Sequence, residues 1–156
     1  MTLLLRVIKA FEKHHVAYAL VGGYAVALHG AVRGTIDIDC IIKHSNASFL
    51  ACEEALRAAG LVPRLPVTAR EVYQFREEYV SRRNLIAWSF YNPDNPIEVV
   101  DVIITHDLAT LKSVSLRYGI EKVRALSVPD LIKMKRAAGR PQDLEDIKML
   151  ERLHGK

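Results

Sequence analysis

An acidic pair set inside an apolar run constrains this chain more than any other feature. Between residues 20 and 42 the sequence reads LVGGYAVALHGAVRGTIDIDCII: a short apolar run halted at Gly22-Gly23, a stretch of small residues, and a second apolar run that contains Asp37 and Asp39. If that second run is a strand, residues 37 and 39 project from the same face, because side chains alternate with a period of two. Desolvation and mutual repulsion both oppose ionising such a pair, so a cation is expected beside it. Calcium, a structural ion pair and phosphate chemistry all meet that requirement. The glycines suit a tight strand-to-helix turn or a close backbone approach. The helix expected from Tyr24 to Gly30 would aim free N–H groups at whatever lies above them, as phosphate sites do.

The chain has 156 residues and an apolar fraction of 50%, enough for one domain with its own core. The expected division is a single domain over 1–156, with 127–156 as its C-terminal helical part. The start, MTLLLRVIKAFEKHH, mixes charges into an apolar pattern at helical spacing. That does not fit a signal peptide, and no apolar run is long enough to span a bilayer. A cytoplasmic protein with no membrane partner is expected. Cys40 and Cys52 make no CxxC pair, which excludes a disulfide framework and a structural zinc site. A net charge of +4 suits a polyanionic partner, but is also common in proteins that bind none.

The hydrophobic pattern predicts an amphipathic helix over 3–14, a strand over 16–21, and a helix over 46–59 capped by Ser45 or Asn46. Thr68 and Glu71 have capping-box spacing and open a helix predicted to reach Ser81. Residues 84–91 and 96–104 are β-rich runs about the turn signal Asn92-Pro93-Asp94-Asn95, hence an antiparallel hairpin. On its second strand Val99, Asp101 and Ile103 share one face, and Glu98, Val100 and Val102 the other. A short helix at 107–112, strands at 114–118 and 123–126, and helices over 129–138 and 141–153 complete the chain. Leu144, Ile147, Leu150 and Leu153 are the expected buried stripe of the last helix, with Asp143 and Asp146 on a different face.

Val21-Gly22-Gly23, the run Arg33-Gly34-Thr35-Ile36-Asp37-Ile38-Asp39, the strand bearing Asp101, and the tail from Lys133 through Arg140 to Asp143 and Asp146 resemble the nucleotidyltransferase superfamily of the DNA polymerase β type. More narrowly they are similar to small bacterial AbiEii-like proteins of toxin–antitoxin systems. The resemblance implies an α/β (α+β) fold: a mixed β-sheet of the nucleotidyltransferase type with helices packed on it and a helical C-terminus. It also implies transfer of a nucleoside monophosphate from an NTP, such as ATP, to an acceptor, with Mg²⁺ as cofactor and Mn²⁺ as a substitute. Asp37, Asp39 and Asp101 take the metal-binding and catalytic positions. Hard carboxylate oxygens suit Mg²⁺, and paired ions can clamp both oxygens of an in-line displacement.

Gly22, Gly23, Tyr24, Arg33 and Thr35 fall at nucleotide-binding positions. Lys133 matches the tail lysine because of its interval to Arg140, with Lys135 as the fallback. Where many members carry Ser after the first glycine, this chain has Gly23. Other readings compete. The acids can belong to a solvated strand face, Glu98 rivals Asp101 as third ligand, and Asp143 either joins the site or pairs with Arg140. His29 is a candidate nucleotide contact, whereas Trp88, Phe90 and Tyr91 read as sheet packing. The acceptor stays open between RNA, such as the 3′ end of tRNA, a protein hydroxyl and a small molecule. The alternative function is a non-catalytic nucleotide- or protein-binding member of a toxin–antitoxin pair, with a cognate toxin or antitoxin as partner.

Overall fold

The computed structural model describes residues 1–31, 34 and 37–155. Arg33 and Thr35 lie outside the described residues. Helix α1 (Leu3–Lys13) is capped by the Thr2 hydroxyl, and precedes β1 (Tyr18–Val21), α2 (Gly22–Leu28) and β2 (Ile38–Ile42). Next come α3 (Asn46–Ala58), capped by Ser45, the two-residue β3 (Val62–Pro63), α4 (Ala69–Gln74) and α5 (Arg76–Arg83). The hairpin β4 (Ala87–Asn92) and β5 (Asn95–Ile103), a 3-10 turn at Leu108–Thr110, the hairpin β6 (Ser113–Tyr118) and β7 (Glu121–Leu126), and helices α6 (Val128–Ala138) and α7 (Pro141–His154) follow.

Among the described residues the strands form one mixed sheet in the order β3-β4-β5-β2-β1-β7-β6. β2 pairs with β5 and β1 with β7 in parallel, and the other neighbours are antiparallel. Register sorts the side chains into two faces. Trp88 and Phe90 of β4 stand opposite Val102 and Val100 of β5, which in turn stand beside Cys40 and Ile38 of β2. All six are buried. Helices α1 and α3 cover this face: Phe11 meets Tyr18 with ring centroids 5.0 Å apart, and Phe49 stacks on Trp88 at 5.6 Å. At about 25 cal/mol per Å² of apolar area, this layer of aromatic and branched side chains supplies the main stabilising term.

The opposite face carries Asp39, Asp101 and Ile103 and meets α6. It is therefore half core and half cleft. Helix α6 starts with the Ser127 cap and Pro129 in its first turn, and ends at Gly139 in the left-handed region, φ +65°. Pro141 then restarts the chain as α7, the usual asymmetry of proline at helix starts and glycine at helix ends.

Several elements differ from the expectations. The helix predicted over 68–81 keeps its Thr68–Glu71 capping box but breaks at Phe75. Its first part buries Ala69 and Val72, while α5 has no buried residue to hold it in line with α4. The helix after β1 begins at Gly22 rather than Tyr24, so both glycines lie in its first turn. Asp37 precedes β2 and is exposed, instead of sharing a strand face with Asp39.

The buried stripe of α7 is Asp143, Asp146, Ile147 and Leu150, whereas Leu144 and Leu153 are exposed. The spacing i, i+3, i+4, i+7 is a normal inward stripe. Two of its members are acids because α6 brings a buried lysine against them.

Candidate active site

Asp39 is flanked by Val21 of β1 on one side and by Asp101 of β5 on the other. Being direct partners in a parallel pair, Asp39 and Asp101 leave the sheet on the same face. The Ser89 hydroxyl on β4 donates to Asp101 Oδ1 at 2.6 Å and fixes that carboxylate from the next strand. Gly22 has φ +65°, and a Cβ built there would overlap the Asp39 carboxylate. Glycine is thus required twice over, by its left-handed backbone and by the acid filling the space where a side chain would be.

Burial, then the charges of Asp101 and Asp37, push the Asp39 carboxyl up to about 7, with Lys135 and Arg140 pulling the other way. The Asp37 carboxyl is also raised, by desolvation and by Asp101, against the pull of Arg64. The acids therefore strain against one another. Among the described residues no three aspartate, glutamate, histidine or cysteine side chains stand together as a ready-made metal site.

The facing wall is α6, where Leu131, Met134, Lys135 and Ala138 line the cleft. Lys135 is only 6% exposed. Its Nζ lies 2.9 Å from Asp146 Oδ2 and 3.5 Å from Asp143 Oδ1. Asp143 also accepts from Arg140, through Nε at 2.7 Å, the second guanidinium branch at 3.1 Å and the backbone N–H at 3.1 Å. These bonds hold the Asp143 carboxyl below its usual range. Gln142 Nε2 donates to Asp146 Oδ1 at 3.0 Å. The tail is thus a buried cation held by two acids, with Arg140 at the cleft edge.

Of the residues singled out in the sequence, Gly22, Asp39 and Asp101 line one cleft of about 590 Å³, joined by Lys135, Arg140 and Asp143. Asp37 is not among the residues lining the cleft, although its charge and that of Asp101 act on each other and on Asp39. Gly23 is buried in the first turn of α2. Tyr24 is half-buried, its hydroxyl pKa raised by desolvation and by Tyr118.

Lys133 is exposed and does not line the cleft. Residues two positions apart on a helix are about 200° apart around its axis, so Lys133 and Lys135 cannot both face inward. Glu98 is taken by Arg6, at 2.8 and 3.0 Å, and by Asn92, and leaves the contest for third ligand. The His29 ring donates from Nε2 to the Leu126 carbonyl at 2.9 Å and packs edge-on against His154, which makes it a brace between α2, β7 and α7. Ser89 lies outside the expected site residues, and Asp146 belongs to the tail motif without an assigned role. Ser89 is legible only once the β4–β5 register is known, and Asp146 only once Lys135 is known to be buried.

No protein-family model matches the chain, and no curated protein matches it in sequence. Solved structures do. The crystal structure of ANT(2″)-Ia in complex with adenylyl-2″-tobramycin matches with TM-score 0.62 and 14% identity, over 96% of this chain and 86% of that one. The lincosamide antibiotic adenylyltransferase LnuA, lincomycin-bound, matches with TM-score 0.62 and 16% identity, over 97% of this chain and 96% of that one. An antigenic nucleotidyltransferase-like protein from Paracoccidioides brasiliensis matches with TM-score 0.53 and 16% identity, over 97% and 75%. The fold is that of these nucleotidyltransferases. Among the described residues no helix is long and apolar enough to cross a membrane.

Proposed function

We propose that this chain is a nucleotidyltransferase that moves a nucleoside monophosphate from an NTP, ATP among them, to a hydroxyl-bearing acceptor and releases pyrophosphate. The observation that carries the reading is the register match of Asp39 with Asp101 across parallel strands, opening on a cleft whose opposite wall holds the buried Lys135. The donor set fits a hard divalent cation: two carboxylates face the same cleft, and burial, then the charges of Asp101 and Asp37, raises Asp39 to about 7. Asp39 and Asp101 would hold Mg²⁺ or Mn²⁺, with Asp37, whose charge is coupled to theirs, as the third carboxylate. Such an ion, when bound, supplies Lewis-acid polarisation of phosphate oxygens and offsets their charge.

The chain's own groups do the rest. Gly22 lets the backbone at the end of β1 come up against the Asp39 carboxylate without a side chain between them. Lys135 and Arg140 offset negative charge on the triphosphate from the α6–α7 side, Arg140 as the more accessible of the two. The acceptor hydroxyl oxygen attacks the α-phosphorus and gives up its proton to water, the bond from that phosphorus to the bridging oxygen breaks, and pyrophosphate leaves. A cleft of about 590 Å³ suits a nucleotide with a small acceptor, and two of the structural neighbours are seen with antibiotic molecules. A small-molecule acceptor is therefore favoured. The AbiEii-like likeness, a toxin–antitoxin setting and an RNA acceptor rest on motifs and net charge alone.

The test is incubation with Mg²⁺ and either α- or γ-labelled ATP, with a panel of hydroxyl compounds. Label reaching an acceptor from the α position only, and lost in Asp39→Asn and Asp101→Asn, supports the reading. Transfer from the γ position, or unchanged transfer by both variants, defeats it.

A further inference from the structure

The cleft has two chemically different ends. Along the exposed face of β5 the lining passes from Asp101 to Ile103 and on to Thr105 and His106 beyond the strand. Along α6 it passes from Lys135 and Ala138 back to Met134 and Leu131. Ile86 lines the same cleft, next to Ile103 on the β5 side. It is anchored beside β5 by its carbonyl, which accepts from the Ile104 N–H at 2.8 Å, and by its neighbour Ala87, the strand partner of Ile103. Its side chain is nevertheless 57% exposed. A branched apolar side chain held at a cleft mouth by fixed backbone is a wall, not a loop accident.

Charge sharpens the contrast. The described acids that line the cleft are Asp39, Asp101 and Asp143, and Asp143 is already held by Arg140 and Lys135. The described acids next in the chain to the Ile86–Met134 end, Asp107 beside His106 and Asp130 beside Leu131, do not line it and accept from the His44 and Ala109 N–H groups and from the Lys112 N–H. His106 adds no negative charge, and desolvation lowers its pKa, so it stays neutral near pH 7. A polycationic acceptor would find there no carboxylate for its ammonium groups, and each would be desolvated against apolar carbon without a partner. An uncharged molecule with an apolar body gains instead by covering Ile86, Ile103, Leu131 and Met134, while its hydroxyl points along the cleft toward Asp39 and Asp101.

We infer that the Ile86–Met134 end of the cleft is the acceptor subsite, and that its acceptor is a small, uncharged hydroxyl compound with an apolar body rather than an amine-rich one. This rests on the transfer reading above, since the carboxylate end is assigned to the metal and nucleotide. The subsite is continuous with that end in a single cleft, so one acceptor can reach from the apolar wall to the acids.

The test uses the full chain with two probes: octyl β-D-glucopyranoside below its micellar concentration, an uncharged polyol with an apolar tail, and 2-deoxystreptamine, a diamino cyclitol. Binding of each is titrated calorimetrically, with and without Mn²⁺·ATP. Octyl glucoside should bind at least tenfold more tightly than 2-deoxystreptamine. Ile86→Asp, an exposed position that tolerates a polar residue, and Met134→Asp should each weaken octyl glucoside at least tenfold while the circular dichroism spectrum is retained. Tighter binding of 2-deoxystreptamine, or octyl glucoside affinity unmoved by both variants, overturns the inference. So does a homodimer that Ile86→Asp dissociates, because the wall is then covered by a second copy. Failure of Mn²⁺·ATP to bind the wild-type protein overturns the transfer reading. Failure of octyl glucoside with Mn²⁺·ATP still bound overturns the acceptor class alone.

Discussion

Replacing Lys135 with Met removes the ammonium and keeps most of the volume, so the ion network is perturbed with little change in packing. The Lys135 Nζ–Asp146 Oδ2 distance is 2.9 Å, and Asp146 is fully buried. At an effective dielectric near 20 the gross attraction at that distance is about 6 kcal/mol, most of it offset by desolvating both groups. Deleting one partner of a buried pair typically costs about 3–5 kcal/mol. Asp143 keeps Arg140 and Asp146 keeps Gln142, so the low end, about 3 kcal/mol, is expected.

Urea denaturation followed by the fluorescence of Trp88, the chain's single tryptophan and buried in the core, reads this directly. The double variant Lys135→Met/Asp146→Asn also removes the charge that Lys135 offsets and should recover at least about 1 kcal/mol of the loss, a coupling that independent sites do not show. A loss below about 1 kcal/mol for Lys135→Met, or strict additivity in the double variant, would refute the description of Lys135 as a buried ion held by α7.

Other outcomes follow from the same geometry. Arg6 and Asn92 lower the Glu98 carboxyl to about 2. A depressed carboxylate stabilises the fold above its ordinary value near 4.5, and that stability is lost as pH falls from there toward about 2. The pair is partly solvated, so screening reduces the contribution to about 1 kcal/mol. The stability gap between wild type and Glu98→Gln should therefore shrink between pH 6 and pH 3, and a constant gap would contradict the assignment.

Gly22→Ala should cost about 1–2 kcal/mol from the left-handed backbone alone. It should also displace Asp39 and so abolish Mn²⁺·ATP binding, an outcome read by calorimetry; retained binding would show that the close approach is dispensable. Lys133→Ala should keep label transfer within a few-fold of wild type, whereas Lys135→Gln should lower it at least 100-fold. The reverse order would restore Lys133 to the site.

Sequence periodicity was a good guide where a segment's environment is local. The Thr68 capping box, the Asn92 to Asn95 turn and the alternation of Asp101 with Val100 and Val102 are set by neighbours in the chain, and all appear in the structure. The pairing of Asp39 with Asp101 joins residues far apart in sequence. Only the family resemblance, not spacing, pointed to it.

In α7, charge does not mark exposure. Leucines 144 and 153 were expected inside and Asp143 and Asp146 on another face, yet the acids face inward because Lys135 needs them. Lys133 matches the tail motif by its interval to Arg140, whereas the phase of Leu131, Met134 and Ala138 places residue 135 on the inner stripe. Asp37 differs from expectation only in its backbone. An apolar neighbour on each side suggested a strand, but β2 begins one residue later, at Ile38.

The central claim is that Asp39 and Asp101 together form a metal–nucleotide site. Its most direct test is electron paramagnetic resonance of Mn²⁺ titrated with ATP into the wild-type protein, Asp39→Asn and Asp101→Asn, each first shown to unfold cooperatively in urea. The account predicts ATP-dependent Mn²⁺ uptake by the wild type and its loss in both variants. Uptake by the variants equal to that of the wild type would contradict it.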